Sequence, residues 1–201
     1  MSELHAFEVH GMTRSAFILR GALAVGAAYG GAAAGPYVAR ALAQASTSEI
    51  DVLNFALGLE TLEAAFYAAA LKTGKLSGEV KTLATEFGKQ ETTHVDTLKQ
   101  LIQQLGGSPS AAAATKVTVR NQADFLKAAV ALEDLGVGAY NGAIPALQES
   151  DVISAAGSIV QIEARHAAAL RFRAGMDPAP APFDRALSPA QVQAALKKLG
   201  R

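Results

Sequence analysis

Two histidines remain once the first 45 residues are set aside, and each stands three places after a glutamate: Glu91-Thr92-Thr93-His94 and Glu163-Ala164-Arg165-His166. Positions i and i+3 share one face of a helix, so each pair can present a carboxylate oxygen and an imidazole nitrogen to the same point. Nine glutamates occupy residues 46–201, and at that density a Glu at −3 of both histidines arises by chance about once in 300. The chemistry favoured by this pairing is metal ligation, with two ions inside a helical bundle. The bland alternative is a pair of solvated polar dyads, and the repetition weighs against it.

The repetition extends beyond the motifs. Leu59-Glu60-Thr61-Leu62-Glu63-Ala64-Ala65-Phe66-Tyr67 lies over Leu132-Glu133-Asp134-Leu135-Gly136-Val137-Gly138-Ala139-Tyr140 at an offset of 73 residues, and the two E-x-x-H motifs are offset by 72. Each half reads as a helix with one Glu followed by a helix with E-x-x-H, a duplicated helix pair. The candidate ligands are Glu60, Glu91 and His94 from the first half and Glu133, Glu163 and His166 from the second. Carboxylates on an apolar helix face are costly unless paired or bound to a cation. Four glutamates and two imidazoles suit iron or manganese, whereas the high carboxylate count and lack of thiolates suit structural zinc poorly.

The elements that must position these residues are helices. Ala and Leu dominate, and no stretch sustains the period-two alternation of a strand. The expected helix 1 starts near Thr47 or Ser48 and runs to Lys72, and helix 2 spans Ser77 to Leu105 before Gly106-Gly107. Residues 106–120, rich in Gly, Ser, Ala and Thr, read as a crossover. Helix 3 starts near Asn121 and is kinked or ended by Pro145, and helix 4 runs from about Asp151 to Arg173. A proline-rich tail, Asp177 to Pro182, precedes a short terminal helix, Pro189 to Leu199, capped by Ser188. Short, long and short connections predict an all-α antiparallel four-helix bundle with a long helix 2 to helix 3 crossover and a short C-terminal helix.

Composition excludes several functions. Residues 46–201 carry 15 Lys or Arg against 16 Asp or Glu and no basic run, which argues against nucleic acid as a partner. Cysteine is absent, which rules out disulfides and iron–sulfur clusters. Residues 1–45 read as a signal-like segment: Arg14 and Arg20 lead into an uncharged Gly/Ala-rich run from Gly21 to Ala39, and Ala43-Gln44-Ala45 has the form of a cleavage site. The run resembles a twin-arginine signal, although Ser15 stands where the second arginine belongs, and the secretory route is the alternative. Export to the periplasm, cell surface or medium is therefore expected, with residues 46–201 as the mature domain. Retention of residues 15–39 would instead give a membrane anchor.

With these residues in view, Leu53-Asn54-Phe55-Ala56-Leu57-Gly58-Leu59-Glu60, Leu62-Glu63-Ala64-Ala65-Phe66-Tyr67, Glu91-Thr92-Thr93-His94 and Leu132 to Tyr140 resemble the ferritin-like domain family of exported bacterial proteins, some labelled desiccation-related. The resemblance covers residues 48 to 200. It implies a ferritin-like fold and a di-iron or di-manganese carboxylate centre, with one Glu from each of two helices and Glu-x-x-His from each of the other two. By that resemblance Glu91 and Glu163 are the bridging carboxylates. Glu63, one turn beyond Glu60, is either a further ligand or a carboxylate beside the ligands, since Gly136 takes its place in the second half. Tyr67 and Tyr140, seven residues after Glu60 and Glu133, could hydrogen-bond ligand carboxylates or pack as amphipathic core residues.

Two iron ions reacting with O2 or peroxide, in ferroxidase or peroxide-scavenging chemistry that protects against oxidative stress, is the leading functional expectation. A manganese catalase-like centre with two Mn ions uses the same donors. A non-catalytic envelope or structural subunit is the alternative of a different class, because fold alone does not establish activity. A homo-oligomer is compatible with either, and iron storage would need a closed cage.

Overall fold

The computed structural model describes residues 49–110 and 119–200, and all of its regular elements are helical. The signal-like segment, the expected start of the first helix at Thr47 or Ser48, and residues 111–118 of the crossover lie outside the described residues. Four long helices, α1 (Glu49–Lys72), α2 (Gly78–Gln104), α3 (Gln122–Ala143) and α4 (Ser150–Arg173), are followed by a short α5 (Pro189–Leu199).

Local sequence sets the helix ends. Glu49 and Asp51 occupy the first turn of α1 and Lys72 its last, each matched in sign to the helix dipole. Glu49 Oε1 also accepts from the backbone N–H groups of Gln148 and Glu149 at 2.9 and 3.1 Å, which ties the start of α1 to the α3–α4 connection. Gly74 (φ 67°) and Gly106 (φ 78°) take the left-handed conformation just past the ends of α1 and α2. Asn121 caps α3, its side chain accepting from Asp124 N at 2.8 Å. Pro145 ends α3 rather than kinking it: lacking an N–H, it sits in the 3-10 turn Ile144–Ala146. Helix α4 begins one residue earlier than expected, with Glu149 as its cap. Ser188 and Gln191 form a reciprocal capping box around Pro189 at the start of α5.

The order in which each helix meets the apolar clusters fixes its direction. One cluster gathers Phe66, Ala70, Ala84, Phe87, Phe125, Ala129 and Leu170 at one end of the bundle. A second gathers Leu53, Leu57, Leu98, Ile102, Tyr140, Val152 and Ile159 at the other. Helices α1 and α4 run from the second cluster to the first, and α2 and α3 from the first to the second. Neighbours in the bundle are α1 with α2, α3 with α4, α1 with α3, and α2 with α4, so every adjacent pair is antiparallel. Because α2 and α3 run the same way, their connection must return the length of the bundle. The 27 residues of α2 rise about 40 Å, and the connection from 105 to 121 reaches roughly 55 Å when extended, which is enough.

Helix α5 lies outside the four-helix square, over the groove between α1 and α3. Its fully buried Val192 packs with Leu59, Leu135 and Ala139. The preceding strap touches the α3 backbone directly, with Leu187 N–H donating to Gly138 O at 2.8 Å. A Cβ on Gly142 would overlap the Leu187 carbonyl, so that glycine is required for this approach, whereas one on Gly138 would lie 2.7 Å from Leu187 Cδ1 and would need only the leucine side chain to shift. No helix among the described residues is long and apolar enough to cross a membrane.

Candidate metal centre

Glu60, Glu91, Glu133 and Glu163 sit midway along the four helices between the two apolar clusters, one from each helix, and all four are fully buried. His94 and His166 stand one turn beyond Glu91 and Glu163 on the same faces. His94 Nδ1 lies 3.1 Å from Glu60 Oε2, 3.1 Å from Glu91 Oε2 and 3.2 Å from Glu163 Oε1. His166 Nδ1 lies 2.9 Å from Glu91 Oε1 and 3.2 Å from Glu133 Oε2. The fold thus brings all six sequence-derived candidates into one cluster. Their donor atoms form two groups, each within 4.8 Å: Glu60, Glu91, His94 and Glu163, and Glu91, Glu133, Glu163 and His166. Glu91 and Glu163 belong to both.

The tyrosines reach across the duplication. Tyr67 on α1 donates to Glu133 Oε1, and Tyr140 on α3 donates to Glu60 Oε1 at 2.6 Å. Each therefore holds the glutamate of the opposite helix, because α1 and α3 run antiparallel and two turns along one helix arrives beside the Glu of the other. Both phenols are fully buried among carboxylates, and burial followed by that negative charge pushes their pKa well up, so they remain donors.

The cluster has too little positive charge for its carboxylates. Glu63 is buried with the other four glutamates, and no Lys or Arg is buried among the described residues. Burial raises the pKa of Glu60, Glu63 and Glu133, and lifts Glu163 to about 8. Glu91 goes the other way: burial opposes its charge, but hydrogen bonds to His166 and His94 outweigh it and hold it at about 2. Burial would lower both histidines, yet their carboxylate partners raise His94 to about 12 and His166 to about 9. Protons on the imidazoles thus stand in for cations. They do so incompletely, because Glu63 Oε2 and Glu163 Oε2 have no hydrogen-bond partner, and Glu91 Oε1 and Glu163 Oε1 meet only the imidazoles of His166 and His94. Buried carboxylate oxygens of this kind are costly unless a cation meets them, so the donor set fits metal ions.

The sequence reading missed one partner of the histidines. Gln90 Oε1, at the bundle surface, lies 2.6 Å from His166 Nε2, and the Phe87 ring stacks on the imidazole at 3.9 Å between centroids. A glutamine beside Glu91 carries no spacing signal, although its place four residues before His94 puts it on the right face of α2. Asp134 pairs with Arg171 at 2.6 Å and Asp96 lies 3.6 Å from Lys99, while Arg165 is exposed.

The sequence matches the ferritin-like domain family over residues 48–175, which is all four helices of the bundle. The chain belongs to that family. Two solved structures share the ferritin-like fold at low identity. A conserved hypothetical protein from Mycobacterium tuberculosis is 23% identical with a TM-score of 0.57, covering 66% of this chain and 94% of its own. A hypothetical protein from Methanococcus jannaschii is 16% identical with the same TM-score, covering 76% of this chain and 93% of its own. No curated protein matches the sequence. In this ferritin-like domain, α5 lies beyond the matched residues and closes the groove between α1 and α3.

Proposed function

We propose that this ferritin-like domain holds two metal ions, iron in the leading reading, and reacts with O2 or peroxide as a ferroxidase or peroxide scavenger in protection from oxidative stress. The observation that carries this is the division of buried donor atoms into two groups sharing Glu91 and Glu163. Glu60 and His94 would hold one ion, Glu133 and His166 the other, and the shared carboxylates both. Bound there, an iron pair supplies two electrons, the number that takes O2 to H2O2 or H2O2 to two waters. The chain's own contribution is positional. Tyr140 and Tyr67 fix the carboxylates of Glu60 and Glu133 through hydrogen bonds. Gln90 would accept from His166 Nε2–H and so leave the Nδ1 lone pair free for the ion. The apolar clusters above and below keep bulk water from the centre.

The same donors suit a manganese pair that disproportionates peroxide. Metal analysis of protein from its native host, followed by assays for Fe(II) oxidation and peroxide consumption, separates the two. Fully loaded protein that does neither would leave only a structural role for the metal. We also propose export, resting on the signal-like composition of residues 1–45. Intact-mass measurement of the native protein tests this, with a mature start near Ser46 as the expected result and retention of residues 15–39 as the result that makes it membrane-anchored.

A further inference from the structure

We propose that Glu63 is a seventh ligand of the centre, binding a divalent cation through its carboxylate beside Glu163 in the space left by Gly136. This rests on the dinuclear reading above and adds to it an inequality between the two halves. Glu63 is 2% exposed, and its Oε2 has no hydrogen-bond partner. A Cβ built on Gly136 would lie 2.9 Å from Glu163 Oε2 and 3.3 Å from Glu63 Oε1. Carboxylates from α1 and α4 therefore converge on the same small volume beside α3, and a side chain at position 136 would intrude on both. Glycine inside a helix is destabilising relative to alanine, so this one has a steric reason to be there.

The repeat makes the point sharper. Gly136 is the counterpart of Glu63 at the 73-residue offset. A glutamate in both places would force two carboxylates toward one volume, whereas Glu against Gly leaves room for one carboxylate and its cation. Charge argues in the same direction. Glu60, Glu91, Glu133 and Glu163 carry the negative charge that two divalent ions neutralise when both imidazoles are neutral. Glu63 is a fifth carboxylate, with no buried Lys or Arg among the described residues to pair with it. Glu163 Oε1 faces His94 at 3.2 Å, so the oxygen toward Glu63 and Gly136 is its other one. The cation that Glu63 meets is the one reached by Glu163 Oε2.

The test uses the metal-free full chain titrated with Mn(II), which is redox-quiet and visible by electron paramagnetic resonance, with stoichiometry and affinities from calorimetry. Wild type is expected to take up two equivalents and show a spin-coupled pair. Glu63→Gln keeps the shape and removes the ligand charge, and is expected to weaken one binding step at least tenfold while sparing the other. Gly136→Ala, which leaves Glu63 intact but narrows the space, weakens the same step. Wild-type affinities for both equivalents in Glu63→Gln overturn the proposal, because a glutamine then replaces a carboxylate that held no metal. If Glu63→Gln does not fold, unchanged binding in Gly136→Ala overturns it equally. A wild-type chain that binds no Mn(II) at all defeats the dinuclear reading itself, a result distinct from either.

Discussion

The two halves of the bundle place the same three ligand types on the same faces, yet they treat their histidines differently. His166 is 1% exposed, stacked on Phe87 and held at Nε2 by Gln90. His94 is 8% exposed, and the residues of α4 that match Gln90 and Phe87 at the 72-residue offset are Ile162 and Ile159, neither of which can accept a hydrogen bond. In the other helix pair, Glu63 faces Gly136. A duplication that keeps its six donors while its surroundings diverge separates what the centre needs from what tunes it. In the dinuclear reading, the shared need would be oxygen from Glu91 and Glu163, and the tuning would lie in which imidazole is locked and where an extra carboxylate is admitted.

The largest effect that this comparison predicts concerns the shared residues. Glu91→Ala should abolish uptake of both Mn(II) equivalents, a loss well beyond the 10–100-fold typical of a group that only orients a ligand. His94→Ala and His166→Ala should each abolish one equivalent and leave the other. Metal content after gel filtration checks this. Retention of one equivalent in Glu91→Ala would mean that Glu91 is not required by both ions and that the two sites do not depend on it as a common ligand.

Much of this cluster is legible in the sequence, for a physical reason. Ligands on helices obey the i, i+3 rule, and a duplication repeats it, so Glu60, Glu91, His94, Glu133, Glu163 and His166 could be named together and the fold does bring them together. The helix ends were legible wherever a cap or breaker marked them, as at Asn121, Pro145 and Ser188. Contacts that depend on how helices pack were not legible. The crossing of Tyr67 to Glu133 and Tyr140 to Glu60 needs the antiparallel register of α1 and α3. The approach of Leu187 to Gly138 needs the path of a strap that carries no periodicity. Gln90 reads as an ordinary exposed helix residue until His166 arrives from α4.

A second, smaller effect separates the halves by pH. In the metal-free fold His166 is raised from about 6.5 to about 9, so the stability contributed by its charged form is complete below pH 6.5 and is lost as pH rises through 9. Glu163, raised to about 8 mainly by burial, has the same sign: its neutral form favours the fold at low pH, and that contribution fades as pH climbs to 8. The metal-free melting temperature should therefore fall by several degrees between pH 6.5 and 9. Metal must displace these protons, so the stabilisation by Mn(II) should grow over the same window. His94, raised to about 12, keeps its proton beyond that range. The step surviving in His94→Ala should accordingly strengthen at lower pH than the step surviving in His166→Ala. Thermal melts with and without Mn(II) across this range measure both, and a metal-free melting temperature that rises toward pH 9 would show that proton uptake does not stabilise the fold.

The smallest effect isolates the lock on one imidazole. Removing Gln90 leaves every ligand in place and changes only what His166 Nε2–H can donate to, so Gln90→Leu should weaken the His166 step by roughly tenfold, the low end for a group that orients a ligating histidine. The His94 step should be unchanged. The converse substitution carries the stronger test: Ile162→Gln puts an amide at the matching place on α4, one turn before His166 and facing the other half. If the halves differ only through this contact, Ile162→Gln tightens the His94 step by a similar factor and the two affinities converge. Should Gln90→Leu weaken both steps equally, the glutamine acts through bundle stability rather than through one ring, and a melting temperature lowered in proportion would accompany it. Unequal steps that persist in the Gln90→Leu, Ile162→Gln double variant would place the remaining inequality on the Glu63 and Gly136 side of the centre.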